Sequence, residues 1–301
     1  MKDDSYSWFK ILHADGFGPK SVYYIYSKLK AHGFSLGDVF RREEKDLQEL
    51  LPDLGKGQLS RAKFENLMKL DDSVLLKAYD ALCESGIDII TVNDEKYPER
   101  VIQRLGSDAP LVLFCKGKLS LFNLPSVAIV GSRNANEQTI NFAKDIAIDF
   151  TKRGYNIVSG NAKGTDRAAH SAALESDGTT TMVLPEGFDN SIYDRIDNQT
   201  LIISQFLPYT IFRGSFAMIR NKLLVALSQA TVVITSGSER DERGKMSGTF
   251  DAAKSALQMN IPLYVVSPRM FEISPIGNRE IISLGAKEIF KEKSLTSWIQ
   301  G

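Results

Sequence analysis

The sequence predicts a doubly wound α/β domain with a mainly parallel sheet, preceded by a small all-helical domain. Three observations carry that expectation. From Val127 onward, continuous apolar runs alternate with helix-length segments, the pattern of strands covered by helices on both faces. The first two runs, "VAIVG" and "YNIVSG", each break into glycine and small polar residues before the next helix. Before Gly86 the chain instead carries charge throughout, with apolar residues at three- and four-residue spacing, which is helical.

The elements follow in order. "SYSWFKILHADG" closes on glycine, and "PKSVYYIYSKLKAHG" puts Pro19 at a first helical position and ends at a glycine stop. "SLGDVFRREEKDLQELLPDLG" and "KGQLSRAKFENLMKLDDSVLLKAYDALCESG" keep the helical spacing, so a small bundle is expected over residues 1–76. The turn "GFGPKS" resembles that of a helix-hairpin-helix element, whose N–H groups hold a nucleic-acid phosphate, but a plain Gly-Pro helix start is the favoured reading. Next, "IDIITVNDEKYPERV" and "PLVLFCKGKL" read as short strands punctuated by Pro98 and Pro110. "VAIVG", "YNIVSG", "TTTMVLPEG", "LIISQFL", "TVVIT" and "PLYVVS" are the sheet strands, with helices between them, and residues 77–301 form the second domain.

Composition narrows the function. In 301 residues, 37 basic side chains balance 37 acidic ones, which excludes a generally basic coat and makes any anion site local. Cys83 and Cys115 lie far apart in apolar runs and read as buried thiols in a reducing compartment. With three histidines (His13, His32 and His170) there is no zinc or triad inventory, and neither metal nor cofactor is expected. The N-terminus lacks the apolar core of a signal peptide, and no run reaches the ~18 apolar residues of a membrane span. A cytoplasmic protein without membrane association is expected.

The chemistry gathers in the two glycine turns. Strands of such a sheet present ligands beyond their carboxyl ends. Gly131, Gly160 and Gly164 permit close backbone approach, Ser132 and Ser159 add small polar groups, and the following helices point N–H groups at the same spot. Arg133 supplies a bidentate fork and Lys163 a point charge. Two basic glycine turns about 30 residues apart make an anion cradle, although neither is a standard nucleotide fingerprint. "FRGSFAMIRNKLLVALSQA" adds Arg213, Arg220, Asn221 and Lys222; "SGSERDERGKMSGTFDAAK" adds Ser247, Gly248 and Thr249 as a helix cap. The segment from Glu239 to Lys245 reads as a mobile loop, and its acidic residues oppose attraction of a polyanion.

The order of these elements resembles the DprA/Smf family of bacterial DNA-processing proteins. The resemblance runs through "GIDIITVNDEKYPERVIQRLGSDAPLVLFCKG", "VAIVGSR", "SGNAKGTDRAAHSAAL", "IRNKLLVALS", "SGTFDAAKSAL" and "GNREIISLGA", in the family's order. It implies an extended Rossmann-like domain that binds single-stranded DNA, protects incoming strands in natural transformation and assists loading of a RecA-type recombinase. A homodimer without catalytic activity is implied. Carried over by position, Arg133 and Lys163 grip backbone phosphates; Gly131, Ser132, Ser159, Gly160 and Gly164 shape the pocket; Arg220 and Lys222 line its rim. Asp166 is expected to orient its turn and His170 to pack in the interior.

Departures from the family pattern include Thr165 where isoleucine is usual, Lys222 for an arginine, Gln205 and the charged 239–245 insertion, and no C-terminal winged-helix domain is expected. An alternative from another class is a nucleotide-processing enzyme or a nucleotide sensor, resembling the nucleoside monophosphate phosphoribohydrolases. Those enzymes need a P-G-G-x-G-T-x-x-E loop; here "KMSGTFDAA" keeps Gly248 and Thr249, and Asp251 falls near the carboxylate position. A strand binder also offers stacking surface. Phe212, Phe216, Tyr193 and Phe188 are candidates, and each reads as well as a core residue.

Overall fold

Strands that are apolar at every position need both faces covered, and the second half of the chain builds such a sheet. The computed structural model describes residues 4–41, 49, 61–189 and 196–290. The chain divides into two compact units: Met1–Tyr97 with Gly106–Cys115, and Pro98–Leu105 with Lys116–Gly301.

In the first unit the described helices are α1 (Asp4–Leu12), α2 (Pro19–His32), α3 (Leu36–Val39), α4 (Arg61–Met68) and α5 (Asp72–Glu84). Pro19 opens α2 behind Gly18, and Gly33 closes it in the left-handed region at φ 72°. Asp71 caps α5 by accepting from the Ser73 and Val74 N–H groups. The apolar face of α1 is buried through Trp8, Phe9 and Ile11. Phe9 meets Tyr79 of α5 and Phe114 edge-on. Phe114 belongs to β2 (Val112–Gly117), which pairs antiparallel with β1 (Asp88–Thr91). Helices and this strand pair therefore share one core. In the family-like "YPER" stretch, Tyr97 is buried and its hydroxyl donates to the Pro110 carbonyl. Cys115 is buried as expected, but Cys83 is exposed. It sits in the last turn of α5 beside Leu82, which is the residue that turn buries.

In the second unit seven parallel strands lie in the order β6-β5-β4-β3-β7-β8-β9. They are β3 (Ser126–Val130), β4 (Asn156–Ser159), β5 (Thr180–Leu184), β6 (Thr200–Ser204), β7 (Ala230–Val233), β8 (Leu263–Val266) and β9 (Lys287–Ile289). The helices are α6 (Glu99–Leu105), α7 (Glu137–Thr151), α8 (Thr165–Glu175), α9 (Gly214–Ala226), α10 (Gly248–Gln258) and α11 (Ile276–Ser283). Ala168, Ala169, Ala172 and Ala173 let α8 approach the sheet closely, and with α7 it encloses Phe150, Ile129, Ile157 and Val232. Each large side chain buried there contributes about 1.5–3 kcal/mol.

Two sets of hydrogen bonds explain family-like residues as structural. The last turn of α9 carries no basic residue to meet its free carbonyls, and α6 supplies two. Arg104 donates to the Ala226 and Ser228 carbonyls at 2.7 and 2.6 Å, and Arg100 to those of Leu227 and Phe122. Asn278 of α11, fully buried, donates to the Ile234 and Val266 carbonyls and accepts from Ser236 N–H, tying the ends of β7 and β8 together. No helix among the described residues is long and apolar enough to cross a membrane.

Candidate nucleic-acid interface

Strand order reverses at β3, which has β4 on one side and β7 on the other. A crevice opens at such a point beyond the carboxyl ends of the strands. Here it is a cleft of about 930 Å³, floored by Val130 and Gly131 at the end of β3 and walled by α9, the 237–246 segment and the start of α10.

The two glycine turns do lie side by side. Thr165 donates to the Ser132 carbonyl through both its N–H (3.3 Å) and its hydroxyl (3.2 Å). The threonine that replaces isoleucine thus bolts one turn to the other. Gly131 faces the same side chain: a β-carbon there would stand 2.5 Å from Thr165 Oγ1. Gly164 has φ +79°, and a β-carbon would meet the Ser132 carbonyl at 2.7 Å. This interlock occupies N–H groups that an anion would otherwise use. The Thr165 N–H is taken, the Ala162 N–H goes to the Asp166 carboxylate (3.2 Å), and Asn136 caps α7 through the Thr139 N–H. Side-chain cations, more than helix N-termini, carry the positive character of the cleft.

Beneath the turns sits Arg220, 4% exposed, two helical turns into α9. Its Nη1 donates to the Val183 carbonyl at 2.8 Å, while its Nε is buried without a partner. Burial pulls the guanidinium pKa down, and the neighbouring Asp166 carboxylate opposes that shift. Burial likewise pushes Asp166 up, with the Arg220 charge opposing. Glu186, half-buried, is raised by burial against the charges of Arg220 and Arg133. Each carboxylate keeps the buried cation from being isolated. Asp166 orients its turn through the Ala162 N–H, as its position suggested.

Of the sequence candidates, Gly131, Ser132, Arg133, Arg220, Asn221, Ser247, Gly248 and Thr249 line one cleft. Arg133 is exposed, with its guanidinium 5.5 Å from the centroid of the Phe212 ring. Asn221 is occupied within the fold: it donates to the Gly248 carbonyl at 2.9 Å and to Asp251 at 3.3 Å, holding the start of α10. Ser247 caps that helix, accepting from the Phe250 N–H. Ser159, Gly160, Lys163, Gly164 and Lys222 do not line the cleft. Ser159 is fully buried and donates to the Ile129 carbonyl, and Gly160 lies under Arg220. Lys163 is exposed, and Lys222 is half-buried on α9.

Among the aromatic candidates, Phe212 is 48% exposed at the cleft, whereas Phe188 is 1% exposed and belongs to the core. Phe216 stacks on Phe206 at 4.7 Å, and Tyr193 lies outside the described residues. His170 is interior, as expected. Because the Thr180 hydroxyl donates to the Ile157 carbonyl, its oxygen accepts from His170 Nδ1, which leaves Nε2 buried and unpartnered. Burial pushes the imidazole pKa down to about 3.

Sequence reasoning missed Arg240, Arg243 and Lys245 as wall residues of the cleft. The signal was present as three cations within six residues, but the acids interleaved with them masked it. Nor is the segment a loose loop. Arg240 pairs with Met246 as an isolated β-bridge, and Asp241 and Lys245 close a tight turn.

Comparison with known proteins agrees with this fold. The family profile of DNA recombination-mediator protein A matches residues 88–300. The DNA processing protein DprA of Streptococcus pneumoniae is 28% identical over 279 residues, covering 88% of this chain and 93% of that protein. DprA of Bacillus subtilis is 25% identical over 254 residues, covering 82% of each. The X-ray structure of the Streptococcus pneumoniae protein superposes with a TM-score of 0.79 at 23% identity, covering 99% of this chain and 98% of that one. A structure of DNA processing protein A from Helicobacter pylori, described for its single-stranded DNA binding mode, gives a TM-score of 0.58 at 25% identity, covering 72% of this chain and 96% of that one. A profile match over more than half the chain, in the region that builds the cleft, places this protein in the DNA recombination-mediator protein A family, the DprA/Smf proteins.

Proposed function

We propose that the protein binds single-stranded DNA in the cleft beyond β3 and β7. The observation that carries the reading is the pairing of Arg133 with Phe212 on the cleft wall: a cation for a backbone phosphate beside an exposed ring for a base. Relatedness to DprA proteins, one of them described for its single-stranded DNA binding mode, supports it. Arg133 is the main phosphate contact, Gly131 and Ser132 shape the floor beside it, and Lys163 and Lys222 act from outside the cleft. Arg220 works from below, as a buried charge that keeps the site positive.

The reading extends to a cytoplasmic role in DNA processing, with the second unit holding the strand and the helix-rich first unit forming a separate module. A homodimer that hands the strand to a RecA-type recombinase, with no chemistry of its own, completes it. The competing reading is a mononucleotide enzyme or sensor. Against the enzyme, Asp251 is held by Asn221 and does not line the cleft.

Fluorescence anisotropy of a ~30-nucleotide oligo(dT) at several salt concentrations tests this, with duplex and AMP as competitors. Binding that falls steeply with salt and ignores AMP is expected. Binding abolished by AMP, or none to DNA, would sink the proposal.

A further inference from the structure

The charged insertion contains the cleft's second set of cations, on a scaffold that the fold holds firmly. Its base is clamped by α11 and α10. Ser236 N–H donates to Asn278, Glu239 N–H donates to Glu280 at 2.9 Å, and Glu239 itself pairs with Lys254 at 2.7 Å. Gly277 packs so closely that a β-carbon would come 1.9 Å from the Gly237 carbonyl oxygen. Above the base, Ser247 N–H donates to the Glu239 carbonyl, and the Arg240–Met246 bridge continues the hairpin. The tip is stapled by Asp241, whose Oδ1 accepts from the N–H groups of Arg243 (3.0 Å) and Lys245 (2.8 Å). Gly244, at φ +74°, donates to the Asp241 carbonyl and accepts from Arg240 Nη1.

The acids of this segment therefore do not simply cancel its bases. Glu239 is neutralised by Lys254 at the base, and Asp241 is engaged by the backbone it staples. Glu242 is the remaining acid of the tip, against the cations Arg240, Arg243 and Lys245. The side chains of Arg243 and Lys245 are exposed and make no ion pair among the described residues, and both line the cleft that Arg133 and Arg220 line.

We propose that the 239–246 hairpin is a rigid second phosphate-binding arm, in which Arg243 and Lys245 take backbone phosphates of the same strand that Arg133 holds. The inference rests on the reading of the cleft as a single-strand site and adds its far wall. It also assigns Asp241 a positioning role, since an acid that merely repelled DNA would weaken binding whatever its hydrogen bonds.

The test is oligo(dT) anisotropy with the full chain, the wild type measured beside three variants. For Arg243→Ala/Lys245→Ala, the slope of log K against log salt should flatten by about 1.4, at roughly 0.7 for each phosphate left without its cation. Affinity at low salt should drop on the order of tenfold, with the thermal midpoint unchanged. Asp241→Asn keeps an acceptor oxygen and removes a charge, so it should bind as tightly as the wild type or more so. Asp241→Ala removes the staple and should weaken binding although a negative charge is gone. A double variant with the wild-type slope, or Asp241→Ala binding at least as tightly as Asp241→Asn, would overturn the arm. If the wild type itself fails to bind, or releases DNA to AMP, the cleft reading falls and the arm with it, a result distinct from weakening confined to the variants.

Discussion

The guanidinium of Arg220 lies directly over the α-carbon of Gly160: a β-carbon built on that glycine would stand 1.6 Å from Nη1. The "SGNA" and "IRNK" stretches, sixty residues apart in sequence, are therefore two halves of one packing solution. Glycine is needed at 160 so that a buried arginine can cross the end of β4 and reach the Val183 carbonyl.

Gly160→Ala should destabilise the fold by about 1–3 kcal/mol, the usual cost of overpacking, because the guanidinium cannot move aside without giving up its carbonyl. Urea unfolding measures it. A midpoint within error of the wild type would show that Arg220 has room to shift.

Acid should weaken the protein through His170. Its proton is bound near the ordinary 6.5 in the unfolded chain but only near 3 in the fold, so the unfolded state binds more protons between those values. Stability from this group is full above pH 6.5 and falls as pH drops toward 3, by up to about 1.4 kcal/mol per pH unit. Melting temperatures taken from about pH 7.5 down to about pH 4.5 should decline more steeply for the wild type than for His170→Gln. Parallel curves would remove His170 as the cause.

Arg133→Ala should weaken oligo(dT) binding by about 1–3 kcal/mol, the scale of a charge-assisted contact. Lys163→Ala should cost less than about 1 kcal/mol, since an exposed lysine outside the cleft interacts through water. Equal effects would put the strand over the second turn, at Lys163.

Phe212→Ala should lower affinity by about 1–3 kcal/mol without changing the unfolding midpoint, as removal of a stacking surface does. Phe188→Ala should do the reverse, destabilising the fold by about 3–5 kcal/mol as a core truncation. Paired anisotropy and denaturation curves separate the two. A lower unfolding midpoint at Phe212 would identify it as packing.

Much of the fold was legible from the chain because its signals are local. Apolar runs such as "VAIV" and "TVVI" became central parallel strands, and Gly33 and Ser247 ended or began helices where expected. The neighbourhood of the glycine turns was legible for the same reason: both follow strands that a βαβ crossover places side by side. Cys83 was misjudged because one apolar neighbour, Leu82, does not tell which way a helix faces.

What the sequence determined by itself is the element order, the parallel sheet and the identity of the two turns that end beside each other. Those follow from periodicity, glycine placement and the handedness of crossovers, all of which act within a few turns of chain. Only the tertiary structure decided which charges face the ligand. Arg220 became a buried support, Asn221 a brace for α10, and Glu239 and Asp241 parts of a hairpin frame that leaves Arg243 and Lys245 exposed. The reason is physical: whether a charge is free depends on partners such as Lys254, Glu280 and Val183, which only packing brings within hydrogen-bonding distance.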